Sequence, residues 1–202
     1  MFTMVLQALG FLAFILGTIV LGTWLRIKPT KKNAEWTSRI LHLIFWVGFV
    51  PPAALGVFHP GLSGYDGELG LPPLSRHTPL LVIGILGLLI GAYLILASNV
   101  SLWIFGMGAN AFFLTQQLVV TNIYERIRNP MSLGMYLGFI GIGLRVGSTY
   151  LTLGTVLVGI PAHIFYLKYF EELELELRLG PPYLEYKQRV PFLLPRWGTP
   201  RK

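Results

Sequence analysis

The chain contains no cysteine and very little charge. The absence of cysteine excludes disulfides and thiolate chemistry, and it leaves the redox compartment undetermined. Charged residues make up only 12% of the 202 residues, whereas soluble domains carry about 25%. Hydrophobic residues make up 53%, and the mean hydropathy is +0.62. These proportions indicate an integral membrane protein, and the length suits a single domain over residues 1–202.

Acidic residues are scarce, with nine Asp and Glu against sixteen Lys and Arg, so the net charge is +7. A basic protein can bind nucleic acid, but here the basic residues lie in short segments beside apolar runs. Such segments are typical of contact with anionic lipid headgroups. We therefore expect membrane lipids, and no nucleic acid, as partners.

Long uncharged runs predict an all-α, polytopic fold with five transmembrane helices, since about 20 apolar residues cross the hydrocarbon layer. The first run is too long for a cleavable signal, so we expect it to be retained. In the second run, the pair Pro51-Pro52 should kink or break the helix. The expected spans are about 1–25, 40–58, 79–107, 131–146 and 151–170, with polar loops at 26–39 and 59–78.

The stretch from Thr78 to Tyr124 has no charge and is too long for one helix. It could cross the membrane twice, or cross once and continue as a re-entrant or interfacial segment. With one crossing, 14 of the 16 Lys and Arg residues lie on the same side, as the positive-inside tendency requires. We therefore expect the N-terminus outside and the C-terminus in the cytosol, in the cell inner membrane or the endoplasmic reticulum.

Small residues recur in the third and fourth expected spans. Gly87 and Gly91, and Gly134 and Gly138, are each spaced four apart, which lets helices approach closely in lipid. The short stretch Gly147–Tyr150 then predicts a tight hairpin between spans four and five.

An amphipathic segment follows the last span and reads EELELELRLGPPYLEYKQRVPFLLP from Glu171 to Pro195. Its LELELRL part alternates with period two, which would favour a strand. Leu and Glu are strong helix formers, however, and no breaker separates them from the preceding span. We predict a helix that ends at Gly180, inside a cytosolic segment 171–202.

This segment resembles the C-terminal signature of the isoprenylcysteine carboxyl methyltransferase and phospholipid methyltransferase family of integral-membrane enzymes. That signature reads roughly EExxLxxxFGxxYxxYxxxVPxxxP, and Leu179 replaces its Phe. The matching residues are Glu171, Glu172, Leu175, Gly180, Tyr183, Tyr186, Val190, Pro191 and Pro195.

A second stretch, NIYERIRNPMSLG at 122–134, resembles the GxYxxxRHPxYxG element of the same family. The matching residues are Tyr124, Arg128, Pro130 and Gly134. Asn122, Asn129 and Ser132 replace the family's Gly, His and second Tyr. The two motifs cover about 40 residues, and the first three spans bear only a generic resemblance.

The resemblance implies S-adenosylmethionine as methyl donor, bound between the two motifs at the cytosolic interface. Carboxylates can accept hydrogen bonds from its ammonium or ribose hydroxyls, an arginine can hold its carboxylate, and tyrosines can face its adenine or sulfonium. The implied cofactor-binding residues are Leu118, Val119, Val120, Tyr124, Arg128, Asn129, Pro130, Gly134, Glu171, Glu172, Tyr183 and Tyr186. Ser132 stands at the implied substrate contact. His163 is a candidate substrate-binding residue, as either a polar packing residue or part of the substrate tunnel.

Methyl transfer from an activated donor needs proximity and desolvation more than an acid or base, so we expect no catalytic triad and no metal. The expected activity is methylation of a lipophilic acceptor from the bilayer. A prenylated carboxylate, a phospholipid amine and a small apolar thiol or amine all remain open.

The alternative is a non-enzymatic membrane protein of the same architecture, in which Asn129 and Ser132 mark a lost activity. Arg128 could instead be a membrane-edge anchor, and Tyr183 and Tyr186 could be interfacial aromatics. Glu174 and Arg178, four residues apart, read as a pair on a helix surface.

Overall fold

The computed structural model describes residues 1–108 and 114–195, so residues 196–202 of the expected C-terminal segment lie outside the described residues. Within the described ranges the secondary structure is helical, without strands, which confirms the all-α class. The α-helices are α1 (Phe2–Ile27), α2 (Lys31–Gly48), α3 (Val50–Gly56), α4 (Gly64–Glu68), α5 (Thr78–Gly106), α6 (Pro130–Val146), α7 (Thr149–Gly154), α8 (Ile160–Tyr166), α9 (Glu172–Leu179) and α10 (Pro181–Arg189).

Four helical stretches in the described ranges are long and apolar enough to cross a membrane. They are Phe2–Ile27, Lys31–Gly61, Thr78–Gly106 and Thr149–Leu179. The expected fourth span corresponds to α6, which has 17 residues and is therefore roughly 25 Å long, short of a full hydrocarbon layer. Four candidate spans are established, and the five-span topology stays a prediction.

The second candidate span is interrupted at its proline pair, as expected. α2 ends at Gly48, and Pro51 and Pro52 lie in the first turn of α3. The helix that contains this span begins earlier than the span itself, at Lys31, where the Thr30 side chain accepts a hydrogen bond from the Asn33 N–H (3.2 Å). The expected polar loop 26–39 is therefore mostly helix.

Two helix pairs flank a central helical run. α1 packs on α2, α5 packs on α6, and the run Thr149–Leu179, which comprises α7 to α9 with two π turns, contacts members of both pairs. The apolar core on the α1–α2 side consists of Phe14, Leu25, Ala34, Leu41, Tyr166, Leu167 and Phe170. The last of the π turns, Leu167–Glu171, ends at the glutamate pair, and such turns are frequent at functional sites.

The glycines of α5 and α6 face each other. A Cβ on Gly91 would lie 2.6 Å from the Gly134 carbonyl oxygen, and a Cβ on Gly141 would lie 2.7 Å from the Gly84 carbonyl oxygen. Contacts this close are possible only without side chains, so the two backbones touch along the pair. In lipid the hydrophobic effect does not drive helices together, so close backbone packing of this kind stabilises the α5–α6 pair instead.

The turn between α6 and α7 forms the expected hairpin. Gly147 adopts φ +73°, and the Ser148 side chain caps α7 by accepting from the Leu151 N–H (3.1 Å). Asp66 of α4 accepts from the N–H groups of Thr149 (3.1 Å) and Tyr150 (2.6 Å). The segment before α5 therefore fixes the start of the central run.

We predict that Gly134→Ala destabilises the protein, because the new Cβ would lie 2.8 Å from the Gly91 carbonyl oxygen. Overpacking of this kind costs about 1–3 kcal/mol. Gly138→Ala is the matched control on the same helix, since its Cβ would meet nothing within 4 Å. Thermal unfolding in lipid nanodiscs should show a lower midpoint for the first variant only, and equal midpoints would contradict the backbone contact.

Topology gives a second prediction, because reporter fusions at Thr30 and Arg189 should both score cytosolic. The positive-inside tendency places the basic residues near Thr30 and those of α10 on the same, cytosolic side of the membrane. Fusions that score on opposite sides would mean that an odd number of crossings separates Thr30 from Arg189, which would contradict the five-span topology.

Candidate functional site

Backbone and side-chain hydrogen bonds join the two sequence motifs. The Arg128 N–H donates to the Pro191 carbonyl oxygen (2.9 Å), and the Asn129 side-chain amide donates to the Phe192 carbonyl oxygen (3.0 Å). The Tyr186 hydroxyl donates to the Tyr124 carbonyl oxygen (2.9 Å). The stretch before α6 and the end of the described chain thus form one structural unit, although some 60 residues separate them.

Asn122 explains one departure from the family pattern. Its φ is +57°, in the left-handed region where most side chains are strained. Glycine adopts this region without cost, and asparagine is among the few other residues that tolerate it. Asn122 therefore keeps the backbone conformation that the family's glycine would allow.

Glu172 is the centre of an ion cluster. Its carboxylate lies 2.9 Å from Arg128 Nη1, 2.9 Å from Lys168 Nζ and 2.8 Å from Lys187 Nζ. Only 9% of the Glu172 side chain and 8% of the Arg128 side chain are exposed. The arginine therefore points into the protein, as a membrane-edge anchor would not, and the expected proximity of Arg128 to the glutamate pair is confirmed.

Lys187 ties α10 into this cluster. It also lies 2.6 Å from the Glu176 carboxylate. Burial lowers the pKa of Lys187, but its bonds to Glu172 and Glu176 outweigh that effect, and the net pKa is raised. Lys187 therefore stays charged at neutral pH, and it joins Glu176 to the cluster.

A cavity of about 320 Å³ opens beside the cluster, which is within the size range of small-molecule sites. Eleven of the fourteen residues that the sequence assigned to the cofactor or substrate line it. They are Leu118, Val119, Tyr124, Arg128, Asn129, Pro130, Ser132, His163, Glu171, Tyr183 and Tyr186.

The remaining three, Val120, Gly134 and Glu172, are not part of the cavity wall. Val120 is exposed, Gly134 packs against α5, and Glu172 binds the three cations. Gly134 therefore has a packing role and Glu172 a structural one. A direct cofactor contact stays a prediction for all three residues.

The two neighbouring glutamates therefore have different surroundings. Glu171 lines the cavity, and its carboxylate has no hydrogen-bond or ion-pair partner among the described residues. Arg128 also lines the cavity, and its Nε is buried without a partner. Buried polar groups are normally hydrogen-bonded. The cavity wall thus holds one unpartnered carboxylate, and the arginine beside it keeps one buried N–H without a partner.

Aromatic rings form another part of the wall. Tyr124, Tyr183 and Tyr186 are 8%, 4% and 3% exposed, so the two α10 tyrosines are not interfacial aromatics. Burial raises the pKa of all three phenols above its ordinary value, and the charge of Glu171 raises those of Tyr124 and Tyr183 further. The phenols therefore stay protonated at physiological pH.

The wall on the α1, α2, α6 and α8 side is mostly apolar and aromatic, with Phe14, Phe45, Trp46, Met131, Met135 and Tyr166. Ser132 is 8% exposed here. His163 Nδ1 lies 2.7 Å from the Tyr136 hydroxyl, which links α8 to α6. The cavity therefore combines a charged end with an apolar end.

The pair Glu174–Arg178 was predicted wrongly as a surface pair. Arg178 Nε donates to Glu174 Oε1 at 2.6 Å, and the two side chains are only 6% and 2% exposed. Arg178 also donates to the Thr115 carbonyl oxygen, and both residues line the cavity. Spacing alone could not reveal this, because a surface pair and a buried pair have the same i, i+4 pattern.

Comparison with known families agrees with this geometry. The model of the phospholipid methyltransferase family matches residues 80–178, just under half of the chain. The match spans α5, the 122–134 motif, α6 and the helical run through Glu171 to Arg178, and it confirms the resemblance suggested by the motifs. Over these residues the chain is similar to the phospholipid methyltransferase family.

Neither a curated protein nor a solved structure gives a significant match to the chain. Residues 1–79, which include α1 and α2, lie outside the family match.

We predict that Glu172→Gln destabilises the protein by roughly 1.5–3 kcal/mol, the range of a hydrogen bond to a charged group. The amide would leave buried Arg128 without its counter-charge. Glu185→Gln on exposed α10 surface is the control and should leave thermal unfolding unchanged. If both variants unfold at the wild-type temperature, the ion cluster does not hold the motifs together.

Proposed function

We propose that this protein is an integral-membrane, S-adenosylmethionine-dependent methyltransferase that modifies a lipophilic acceptor. The observation that carries the proposal is the cavity, where Glu171 has no partner and Arg128 keeps one unpaired N–H, beside an apolar wall. The family match over residues 80–178 supports methyl transfer as the reaction.

The charged end of the cavity fits the amino-acid part of the cofactor. Glu171 can accept from an ammonium group, and Arg128 Nε can donate to a carboxylate. Hydrogen bonds to charged partners are the stronger class, and this pair would fix the direction in which the cofactor lies. The protonated phenol of Tyr183 and the ring of Tyr124 also line the cavity and can contact its remaining parts.

When bound, S-adenosylmethionine supplies a methyl group on a sulfonium sulfur, which is already activated for displacement. The protein's task is then to align the acceptor and exclude water. Tyr183 and Tyr186 of α10, held by the Glu172 cluster, cover the cavity from the tail side. The aromatic rings of Phe45, Trp46 and Tyr166 provide an apolar surface on which an acyl or prenyl chain can lie.

We predict that Glu171→Gln raises the dissociation constant for S-adenosylmethionine roughly ten- to a hundredfold, the equivalent of 1.5–3 kcal/mol. Glu171 forms no ion pair of its own, so the thermal unfolding midpoint should stay near the wild-type value. Isothermal titration on nanodisc-embedded protein measures the first quantity.

Glu125→Gln is the matched control, since Glu125 is exposed and lies in the neighbouring motif. It should bind the cofactor as the wild type does. If wild-type protein binds neither S-adenosylmethionine nor its demethylated product, the alternative of a non-enzymatic protein with this architecture holds instead.

A further inference from the structure

His42 of α2 lines the same cavity but belongs to neither motif. It also lies outside residues 80–178, so the family match says nothing about it. Ser38, Phe45 and Trp46 share the helix face of His42 because they lie three or four positions away, and all three line the cavity. This face of α2 therefore forms a part of the cavity wall that lies outside the family-matched region.

The hydrogen bonding of His42 fixes its neutral tautomer. Nδ1 lies 2.7 Å from the Ser38 carbonyl oxygen, which can only accept a hydrogen bond. Nδ1 must therefore carry the hydrogen, and in the neutral ring Nε2 then holds a lone pair. No described residue bonds to Nε2. The ring thus presents a free proton acceptor on the cavity wall.

The neighbouring charged groups do not take this role. Glu174 is held by Arg178, and Arg178 in turn bonds to the Thr115 carbonyl oxygen. In the proposed function, Glu171 accepts a hydrogen bond from the ammonium group of the cofactor. The Nε2 of His42 is therefore a proton acceptor on the cavity wall. It takes part in no ion pair, and the proposed function does not assign it to the amino-acid end of the cofactor.

We propose that His42 Nε2 accepts the proton released by the methyl acceptor, a role that rests on the proposed function. The acceptor atom gives its electron pair to the methyl carbon, and the carbon–sulfur bond breaks with its electron pair remaining on sulfur. The hydrogen of the acceptor atom passes to Nε2 as a proton, which the imidazolium later releases to water. Such a base contributes about 10²- to 10⁴-fold.

This chemistry selects among the acceptors that the sequence left open. An amine or a thiol carries a hydrogen on its nucleophilic atom and must lose a proton on methylation. A carboxylate is already deprotonated and gains nothing from a base. The geometry of His42 therefore points to a proton-bearing nucleophile on an apolar chain.

The first test uses cofactor-free protein in lipid nanodiscs, labelled with ¹⁵N-histidine. The chain has four histidines, so a His42→Gln variant assigns the resonance of residue 42, and exposed His77 serves as internal control. We expect Nδ1 protonated and Nε2 bare, and added dodecylamine should shift Nε2 of His42 but not of His77. A protonated Nε2 in the neutral ring, or an equal shift with dodecanoate, would overturn the proposal.

The second test compares kcat and KM for dodecylamine in wild type, His42→Gln and the matched control His77→Gln. Glutamine keeps a hydrogen-bonding group near the Nε2 position but takes no proton. We expect kcat to fall about a hundredfold in His42→Gln while cofactor affinity stays within about twofold. An unchanged kcat in His42→Gln overturns the role of His42 and leaves the proposed function standing. A wild type that binds no cofactor overturns the proposed function.

Discussion

The structure depends on the buried carboxylate of Glu172 and its three cations. A carboxylate removed from water is stable only with partners of opposite charge and good geometry. Here the partners come from the start of α6, from the turn before α9 and from α10, through Arg128, Lys168 and Lys187. One side chain thus ties the stretch before α6 and the helix α10 to the helical run that carries it. The cavity wall consists largely of residues beside these points.

The adjacent glutamate has the opposite property. Glu171 lies one residue earlier, at the end of a π turn, and faces the cavity without an ion-pair partner. The cations around Glu172 satisfy that residue and leave its neighbour available to a ligand. A pair of identical residues therefore divides into a structural carboxylate and a ligand-facing one, a division that neither residue type nor spacing could predict.

Much of the fold could be predicted because its signals are local. Apolar runs located the candidate spans, Pro51-Pro52 located a helix break, and motif spacing brought Arg128 to the glutamates. The start of α2 at Lys31 could not be predicted, because charged residues in a helix beyond the membrane resemble a loop.

Burial was the main quantity missing from the sequence. Glu174 and Arg178 form a cavity wall although their spacing is that of an ordinary surface pair. Gly134 matches the family motif, yet its contacts are with the backbone of α5. His42 carried no motif and became informative only when its Nδ1 partner and its place on the cavity wall were known.

An experimental structure of the protein with S-adenosylhomocysteine, the demethylated product, tests the central claim most directly. The account predicts the ligand inside the cavity, its amino group about 3 Å from the Glu171 carboxylate and its carboxylate at hydrogen-bonding distance from Arg128 Nε. A ligand outside the cavity, or one whose amino-acid end points away from both residues, would contradict it.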